Sequence, residues 1–338
     1  MRDIAKKVVI INTGGTIAMR LDRATGSVQS SEDQPLHSVQ SILQEHVSCE
    51  MMDLFHIPSP HMTLEMMLEL SEVVQKVLDR DDIAGVVVTH GTDTLEETAY
   101  YLDLTVPGDK PVVVTGAMRS SNELGADGPL NLLQSIRVAG AEISRGRGTM
   151  VVFNDEIHAA REVTKTHTSN IAAFQSPEHG PIGFVTKKQV TFNQPANRGQ
   201  VFSVLPMLSQ KLNEIEIPIL KVVTGMNPKW LQFLLYAHFD GVVLEAFGAG
   251  NVPPSIVPIL SALIKRNTPV VMVSRCFNGQ VQDIYGYEGG GKHLREIGVI
   301  FCNELNSQKA RIKLIVLLSS GTSIAGIVSR FMESTSYL

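Results

Sequence analysis

The chain has 338 residues, more than a single hydrophobic core usually organises, so two domains are expected. Hydrophobic residues make up 43% of the chain and charged residues 19%, which is typical of a globular α/β protein and excludes a disordered or fibrous one. The net charge is −5 and there is no run of basic residues, which argues against a nucleic-acid binder and favours a small-molecule partner.

The N-terminal segment carries only four consecutive apolar residues, 8–11. This run is too short for the core of a signal peptide and far too short to span a bilayer. We therefore expect a cytoplasmic protein without membrane contact. The three cysteines are isolated from one another, so neither a disulfide framework nor a zinc site is predicted.

The first half of the chain alternates short apolar runs with amphipathic segments. Apolar runs at 8–11, 85–88, 111–114 and 150–153 predict buried parallel strands. The clearest helix is predicted over 64–78, with an apolar stripe formed by Met67, Leu70, Val74 and Val77 and with Thr63 as its N-cap. The order βαβα indicates an α/β fold.

A second series of elements follows an aperiodic stretch at 191–207. Strands are predicted at 219–223, 241–244 and 270–273, and a helix is predicted to begin at Pro228 with Asn227 as its cap. We therefore predict two α/β domains: a larger N-terminal parallel-sheet domain over 1–192, a linker over 193–214, and a smaller C-terminal Rossmann-like domain over 215–338.

The loop after the first strand has the sequence NTGGTIA, residues 12–18. Its two glycines permit a tight turn, and its threonine hydroxyls are presented where the loops of a parallel sheet converge. Thr16 is therefore a candidate nucleophile. The alternative is a phosphate-binding turn, although the spacing matches neither GxGxxG nor GxxxxGK[ST].

The loop after the strand at 85–88 has the sequence THGTDTLEE, residues 89–97. Thr94 and Glu97 have the spacing of a capping box, so helix initiation explains part of this motif. Capping does not require the preceding residues, and Asp93 at such a turn is well placed to bind the ammonium group of a ligand. Both interpretations remain open at this point.

Lys165 lies in a segment, 161–168, whose alternation predicts an exposed strand, where a lysine is normally just solvated. A threonine nucleophile nevertheless needs a base, and a lysine can serve if burial lowers its pKa. Lys165 thus becomes a candidate only if it lies beside Thr16 and Thr92. The sequence contains no GxSxG, HExxH or Walker motif that would indicate another common chemistry.

Four motifs together resemble the bacterial-type L-asparaginase and glutaminase-asparaginase family, and the resemblance covers nearly the whole chain. They are TGGTIA at 13–18, HGTDTLEE at 90–97, PVVVTGAMR at 111–119 and VTKT at 163–166. The resemblance implies hydrolysis of L-asparagine to L-aspartate and ammonia, with L-glutamine as a possible second substrate and no metal or organic cofactor. It also implies a homotetramer, a dimer of intimate dimers in which a neighbouring subunit completes each site.

The resemblance implies a role for each motif residue. Thr16 would be the nucleophile that forms an aspartyl ester. Thr92 and Lys165 would form, with Asp93, a second triad that activates water. Asp93 would also bind the α-amino group of the substrate.

Outside the main motifs, Ser59 resembles the family serine that holds the α-carboxylate, and Asn251 resembles the asparagine donated by a neighbouring subunit. Two features depart from the family pattern. Residues 19–31 contain no tyrosine, although many members have one in a mobile lid there. Tyr285 aligns with a glutamate that some members supply across the interface, so the preference for asparagine over glutamine stays open.

Two other functions compete with this one. The amidase subunit of a tRNA-dependent amidotransferase shares the domain but carries an additional N-terminal domain, whereas the first motif here begins at Thr13. A non-catalytic amino-acid sensor would keep the pocket without the chemistry. The joint presence of Thr16, Thr92, Asp93 and Lys165 argues against a sensor, which has no use for a nucleophile and its base.

Overall fold

The structure is a computed structural model that describes residues 6–22, 25, 28–30, 48–204 and 212–333. The chain divides into two units, Met1–Val201 and Phe202–Leu338. Across the residues that are described, no helix has both the length and the apolar character needed to cross a bilayer.

The N-terminal unit is built on a mixed sheet. In chain order its strands are β1 (Lys7–Gly14), β2 (Met19–Leu21), β3 (Val28–Ser30), β4 (Cys49–Ile57), β5 (Ile83–Thr89), β6 (Val112–Thr115), β7 (Thr149–Phe153), β8 (Glu156–Ala159), β9 (Thr164–Lys165), β10 (Phe174–Gln175), β11 (Gly183–Val185) and β12 (Val190–Phe192). Eight of these described strands form one sheet in the order β12-β11-β8-β7-β6-β5-β1-β4. Five neighbouring strands of this sheet are parallel: β4, β1, β5, β6 and β7. Strands β8, β11 and β12 continue the sheet with antiparallel pairing.

Helices cover both faces of this sheet, which is why its central strands are almost wholly apolar. They are α1 (Leu64–Leu78), α2 (Leu95–Thr105) and α3 (Gly128–Gly140). Side chains of β1 alternate between the two faces, so Val9 and Ile11 join the core that includes α1 and α2. Val8 and Ile10 join the core that includes α3.

Helix α1 has the predicted bounds, because both its cap and its apolar stripe are formed. The Thr63 hydroxyl accepts a hydrogen bond from the backbone N–H of Met66 at 3.2 Å. Met67, Leu70 and Val74 are buried against the sheet, as the helical spacing predicts.

The predicted end of the first strand at residue 11 is wrong. Strand β1 continues through Gly14, because Asn12 stays in register with Thr89 of β5 on one side and Asp53 of β4 on the other. Residues 12–14 therefore belong to the sheet, and the turn begins only at Gly15.

The predicted capping box at the start of α2 is also wrong. The Thr94 hydroxyl makes no cap hydrogen bond to its own helix. It donates instead to the backbone carbonyl of Ser59 at 2.9 Å, which lies in the loop after β4. A residue that looked like a local helix signal thus joins two loops of the sheet.

The C-terminal unit has a four-stranded parallel sheet among its described residues, in the order β13-β14-β15-β16. Its strands are β13 (Ile219–Lys221), β14 (Val242–Ala246), β15 (Val270–Ser274) and β16 (Ile300–Phe301). Its helices are α4 (Phe233–Tyr236), α5 (Val257–Lys265), α6 (Gly291–Glu296), α7 (Ser307–Ser319) and α8 (Ile324–Met332). Asn227 caps as predicted by accepting from the Lys229 N–H at 2.9 Å, and the helix that begins at Pro228 is the short 3₁₀ turn Pro228–Leu231.

The stretch predicted as a linker, 193–214, begins as a segment attached to the N-terminal unit. The Arg147 guanidinium donates to the Gln194 carbonyl at 2.8 Å, and the Arg198 guanidinium donates to the Val106 carbonyl. Residues 205–211 of the predicted linker lie outside the described part of the chain.

Candidate active site

The turn that carries Thr16 follows β1 and requires glycine. Gly14 and Gly15 have φ values of 105° and 82°, in the left-handed region that side chains disfavour. A Cβ atom on Gly15 would lie 2.4 Å from the Cα atom of Gly91. This close approach places the start of the half-buried 3₁₀ turn Thr16–Ala18 against the loop after β5.

A second close approach joins the loop after β5 to the loop after β4. A Cβ atom on Gly91 would lie 2.7 Å from both Cβ and Oγ of Ser59. The turns that carry Thr16, Ser59 and Thr92 therefore meet at the carboxyl ends of three adjacent parallel strands. This is the edge of the sheet at which ligands bind in open α/β folds.

Lys165 reaches the same place from β9. Its Nζ atom donates to Thr92 Oγ1 at 2.9 Å and to Asp93 Oδ1 at 2.7 Å. The Lys165 side chain is only 16% exposed, whereas that of Asp93 is 61% exposed. Lys165 is therefore not a solvated strand residue: its amino group faces the Thr92 hydroxyl, whose proton it can accept when it is neutral.

Ser59 is buried and bridges to the second motif. Its Oγ atom accepts from the backbone N–H of Asp93 at 3.2 Å, so its own hydroxyl proton is directed elsewhere and can be donated to a ligand carboxylate. The largely exposed Asp93 carboxylate can meet a ligand ammonium group from the same side. The two residues thus match the two charged groups of an α-amino acid.

His90 is a structural residue of the second motif rather than an acid or base. It is buried, its Nδ1 atom lies 2.7 Å from the Gly91 carbonyl oxygen, and its Nε2 atom lies 3.0 Å from the Thr98 hydroxyl. Burial lowers its pKa to about 4, so the ring is neutral at pH 7. With Nδ1 donating to the carbonyl and Nε2 accepting from Thr98, both ring nitrogens are occupied in holding the loop.

Asn251 lies in the C-terminal unit. It follows Gly250, whose φ is 100°, and its backbone N–H donates to the Phe247 carbonyl at 3.0 Å. Its side-chain Oδ1 atom is buried and has no hydrogen-bond partner within the described chain. Tyr285, in the same unit, is 42% exposed and lies beside Tyr287, with ring centroids 5.6 Å apart.

The sequence reasoning missed a polar cluster beneath the two turns. Asn12 is 1% exposed and contacts both Thr89 and Asp53 through its carboxamide. The available signal was an amide at the end of an otherwise apolar buried strand. Residues 19–31, the segment without a tyrosine that was compared with a mobile lid, are only partly described, because 23, 24, 26, 27 and 31 lie outside the described residues.

Two family models match the chain in succession. The model described as "Asparaginase, N-terminal" matches residues 7–198, and the model "Glutaminase/Asparaginase C-terminal domain" matches residues 216–331. The chain is 35% identical to an L-asparaginase of Bacillus licheniformis over 93% of its own length and 96% of that protein. It is 34% identical to a glutaminase-asparaginase of Pseudomonas aeruginosa over 92% of its length and 86% of that protein.

A solved structure, that of a probable cytoplasmic L-asparaginase from Campylobacter jejuni, aligns with a TM-score of 0.83 at 31% identity. The alignment covers 97% of this chain and 100% of that one. These matches confirm the predicted family, the predicted two-domain α/β fold class and the predicted class of enzyme. The chain belongs to the asparaginase family.

Proposed function

We propose that this protein hydrolyses the side-chain amide of L-asparagine to L-aspartate and ammonia through an ester on Thr16. The observation that carries the proposal is the Lys165 amino group, which is largely buried and hydrogen-bonded to both Thr92 and Asp93 beside the Thr16 turn. The relatives named L-asparaginase, which match nearly the full chain, support the choice of substrate.

The substrate is held by its α-amino and α-carboxylate groups. The Asp93 carboxylate binds the ammonium group, and the Ser59 hydroxyl donates to the carboxylate. Asn251 of a neighbouring subunit completes the pocket, and its unsatisfied buried Oδ1 atom supports a partner outside the described chain. Two charged anchors fix the amino acid, so its side-chain amide meets Thr16 in a limited range of orientations.

Hydrolysis proceeds in two steps. In the first, the Thr16 oxygen bonds to the amide carbon as its hydroxyl gives up its proton. The C–N bond then breaks, and the leaving nitrogen takes up that proton to depart as ammonia. In the second, Lys165 with Thr92 removes a proton from water, whose oxygen bonds to the ester carbon. The C–O bond to Thr16 then breaks, aspartate leaves, and the Thr16 hydroxyl is restored.

Backbone donors for the oxyanion are limited by the hydrogen bonds that already exist. The N–H groups of Gly14, Gly15, His90 and Asp93 are committed to Asn12 Oδ1, the Ile57 carbonyl, the Thr115 carbonyl and Ser59 Oγ. We assign the N–H of Thr92, whose hydroxyl faces Lys165, as a donor to the oxyanion. Such a donor stabilises the transition state by about 3 kcal/mol.

We place the enzyme in the cytoplasm as a homotetramer, a dimer of dimers. The likeness to a structure titled as a probable cytoplasmic L-asparaginase supports the compartment. The buried Asn251 Oδ1 atom, which has no hydrogen-bond partner within the described residues, supports a site completed by a second subunit.

Ammonia release from L-asparagine, L-glutamine and the two D-enantiomers tests the proposal. We expect turnover of L-asparagine, and the ratio of kcat/KM values will give the preference relative to L-glutamine. An amino-acid sensor would bind asparagine, as measured by calorimetry, and release no ammonia. Binding without release would therefore reject the proposed function.

A further inference from the structure

Asn12 is a buried polar residue of β1 that directly follows four consecutive apolar residues. The four residues before it, Val8 to Ile11, are at most 2% exposed, and Asn12 itself is 1% exposed. Its carboxamide has a defined orientation. Oδ1 accepts from the Gly14 N–H at 3.1 Å and from the Thr89 hydroxyl at 2.9 Å, while Nδ2 donates to Asp53 Oδ1 at 2.9 Å.

This one amide spans three adjacent strands. Asn12 is the register partner of Thr89 on β5 and of Asp53 on β4. A second hydrogen bond, from the Thr13 hydroxyl to the Thr89 carbonyl at 2.8 Å, joins the same two strands. Immediately beyond these positions the chain forms the turns that carry Thr16 and Thr92.

The bond from Gly14 to Asn12 Oδ1 links a side chain to the backbone two residues later, which is an Asx turn. It fixes the left-handed backbone of Gly14, whose φ is 105°. Because the Thr89 hydroxyl binds the same oxygen, the geometry of the first turn is tied to the start of the second. The Asp53 carboxylate keeps the amide from rotating, because only Nδ2 can face it.

We propose that Asn12 is a positioning residue. It sets the Thr16 turn relative to the loop that carries Thr92 and Asp93, the two hydrogen-bond partners of Lys165. This inference rests on the proposed role of Thr16. Asn12 does not touch substrate in this scheme. Its substitution should lower kcat, which depends on the placement of the nucleophile, and leave KM nearly unchanged, because the anchors Ser59 and Asp93 are not displaced.

Asn12→Asp is the informative variant because it keeps the oxygen that accepts from Gly14 and Thr89. It also places a carboxylate against Asp53, and two such groups at hydrogen-bond distance cannot both ionise freely, so the pKa of one rises. We expect kcat to fall roughly 10- to 100-fold at neutral pH. Relative to wild type, kcat should recover as the pH falls, because one proton shared by the pair restores the hydrogen bond.

The swapped variant Asn12→Asp/Asp53→Asn tests the geometry directly. The new carboxylate accepts from Gly14, from Thr89 and from the introduced amide, so all three contacts are restored. We expect kcat within about threefold of wild type and no acid-favoured profile. Asp81→Asn, which changes an exposed carboxylate in the turn before β5, is the matched control and should keep the wild-type profile.

Steady-state kinetics on L-asparagine from pH 5 to 8, with circular dichroism to verify folding, decide the matter. A purely structural role would lower stability without the acid-favoured kcat and without rescue by the swap. Either a wild-type kcat for Asn12→Asp or a loss that Asp53→Asn does not recover overturns the proposal. If Asn12→Asp does not fold, Thr89→Val, which removes one donor to Oδ1, must lower kcat at unchanged KM.

Thr16→Ala assayed in parallel separates the two levels of inference. An inactive Thr16→Ala with a fully active Asn12→Asp rejects only the positioning role. A fully active Thr16→Ala rejects the nucleophile and the positioning role together.

Discussion

At the residue scale, the proposed role of Lys165 in activating water can be tested directly. We predict that Lys165→Met, which keeps the aliphatic stem but removes the amine, lowers kcat by roughly 10²- to 10⁴-fold. The free energy of unfolding should change by less than about 1 kcal/mol, since Asp93, its ionic partner, is largely exposed. Initial rates of ammonia release and urea unfolding measure the two quantities.

Lys187→Met is the control for that variant. Lys187 is exposed in the hairpin turn between β11 and β12 and should tolerate the same replacement with unchanged kinetics. Wild-type turnover by Lys165→Met would show that the Lys165 amine takes no part in the reaction.

His90 makes a separate prediction about pH. Its pKa is about 4 in the folded protein and near 6.5 when unfolded. Between about pH 4 and 6.5, the His90 ring therefore binds a proton in the unfolded chain but not in the folded one. The stability due to the neutral ring is complete above pH 6.5 and declines by about 3 kcal/mol as the pH falls to 4.

His90→Gln cannot titrate, so its stability should fall less than that of wild type between pH 6.5 and 4, whatever its stability at neutral pH. Urea unfolding followed by circular dichroism across this range gives the comparison. Equal slopes for His90→Gln and wild type would contradict the assignment of a buried neutral ring.

At the scale of elements, the loops after β1, β4 and β5 pack closely together because glycines allow their backbones to approach one another. In Gly91→Ala the new Cβ atom would lie 2.7 Å from Ser59 Cβ and 3.1 Å from its backbone nitrogen. Overpacking of this kind costs about 1–3 kcal/mol of stability. We expect kcat to fall about 100-fold as the turns separate.

Gly199→Ala provides the matched comparison, because an added Cβ there meets no atom within 4 Å. Its activity and stability should stay close to those of wild type. Thermal unfolding and kcat measured on both variants check the prediction, and a fully active Gly91→Ala would show that the loops are not held together by this contact.

The elements that the sequence predicts well are those whose signals are local. The apolar runs of β5, β6 and β7 and the capped stripe of α1 depend on burial and on a hydrogen bond three residues away. The errors concern long-range contacts. The end of β1 is set by Thr89 and Asp53, and the Thr94 hydroxyl binds Ser59, which is distant in sequence.

In the candidate site, too, the sequence predicts what local motifs encode and misses what depends on long-range contacts. Residue types in the motifs indicated a nucleophile, an ammonium-binding carboxylate and a base, because the chemistry requires them. The burial of Lys165 and the network of Asn12 depend on which strands are neighbours, and no local pattern encodes that. Lys165 of β9 contacts Thr92 in the loop after β5, and Asn12 of β1 contacts Thr89 of β5.

At the scale of the whole molecule, the proposed site requires two subunits. Chains with Thr16→Ala and chains with Asn251→Ala should each have little activity when alone. Denatured and refolded together, they should regain part of it, because some sites combine an intact Thr16 with an intact Asn251. Ammonia release by the mixture, compared with each variant refolded alone, measures the recovery.

Two outcomes would contradict this arrangement. An Asn251→Ala chain that is fully active by itself would remove the need for a donated residue. A protein that sediments as an active monomer at the assay concentration would remove the second subunit altogether.

The central claim is that the Thr16 hydroxyl attacks the substrate amide, and the rate of ammonia release by Thr16→Ala tests it most directly. The account predicts a rate lower than that of wild type by roughly 10⁴-fold or more, with unchanged circular dichroism and with aspartate binding retained in calorimetry. Thr186→Ala, an exposed threonine in the hairpin between β11 and β12, should keep the wild-type rate. Near-wild-type ammonia release by folded Thr16→Ala would contradict the account.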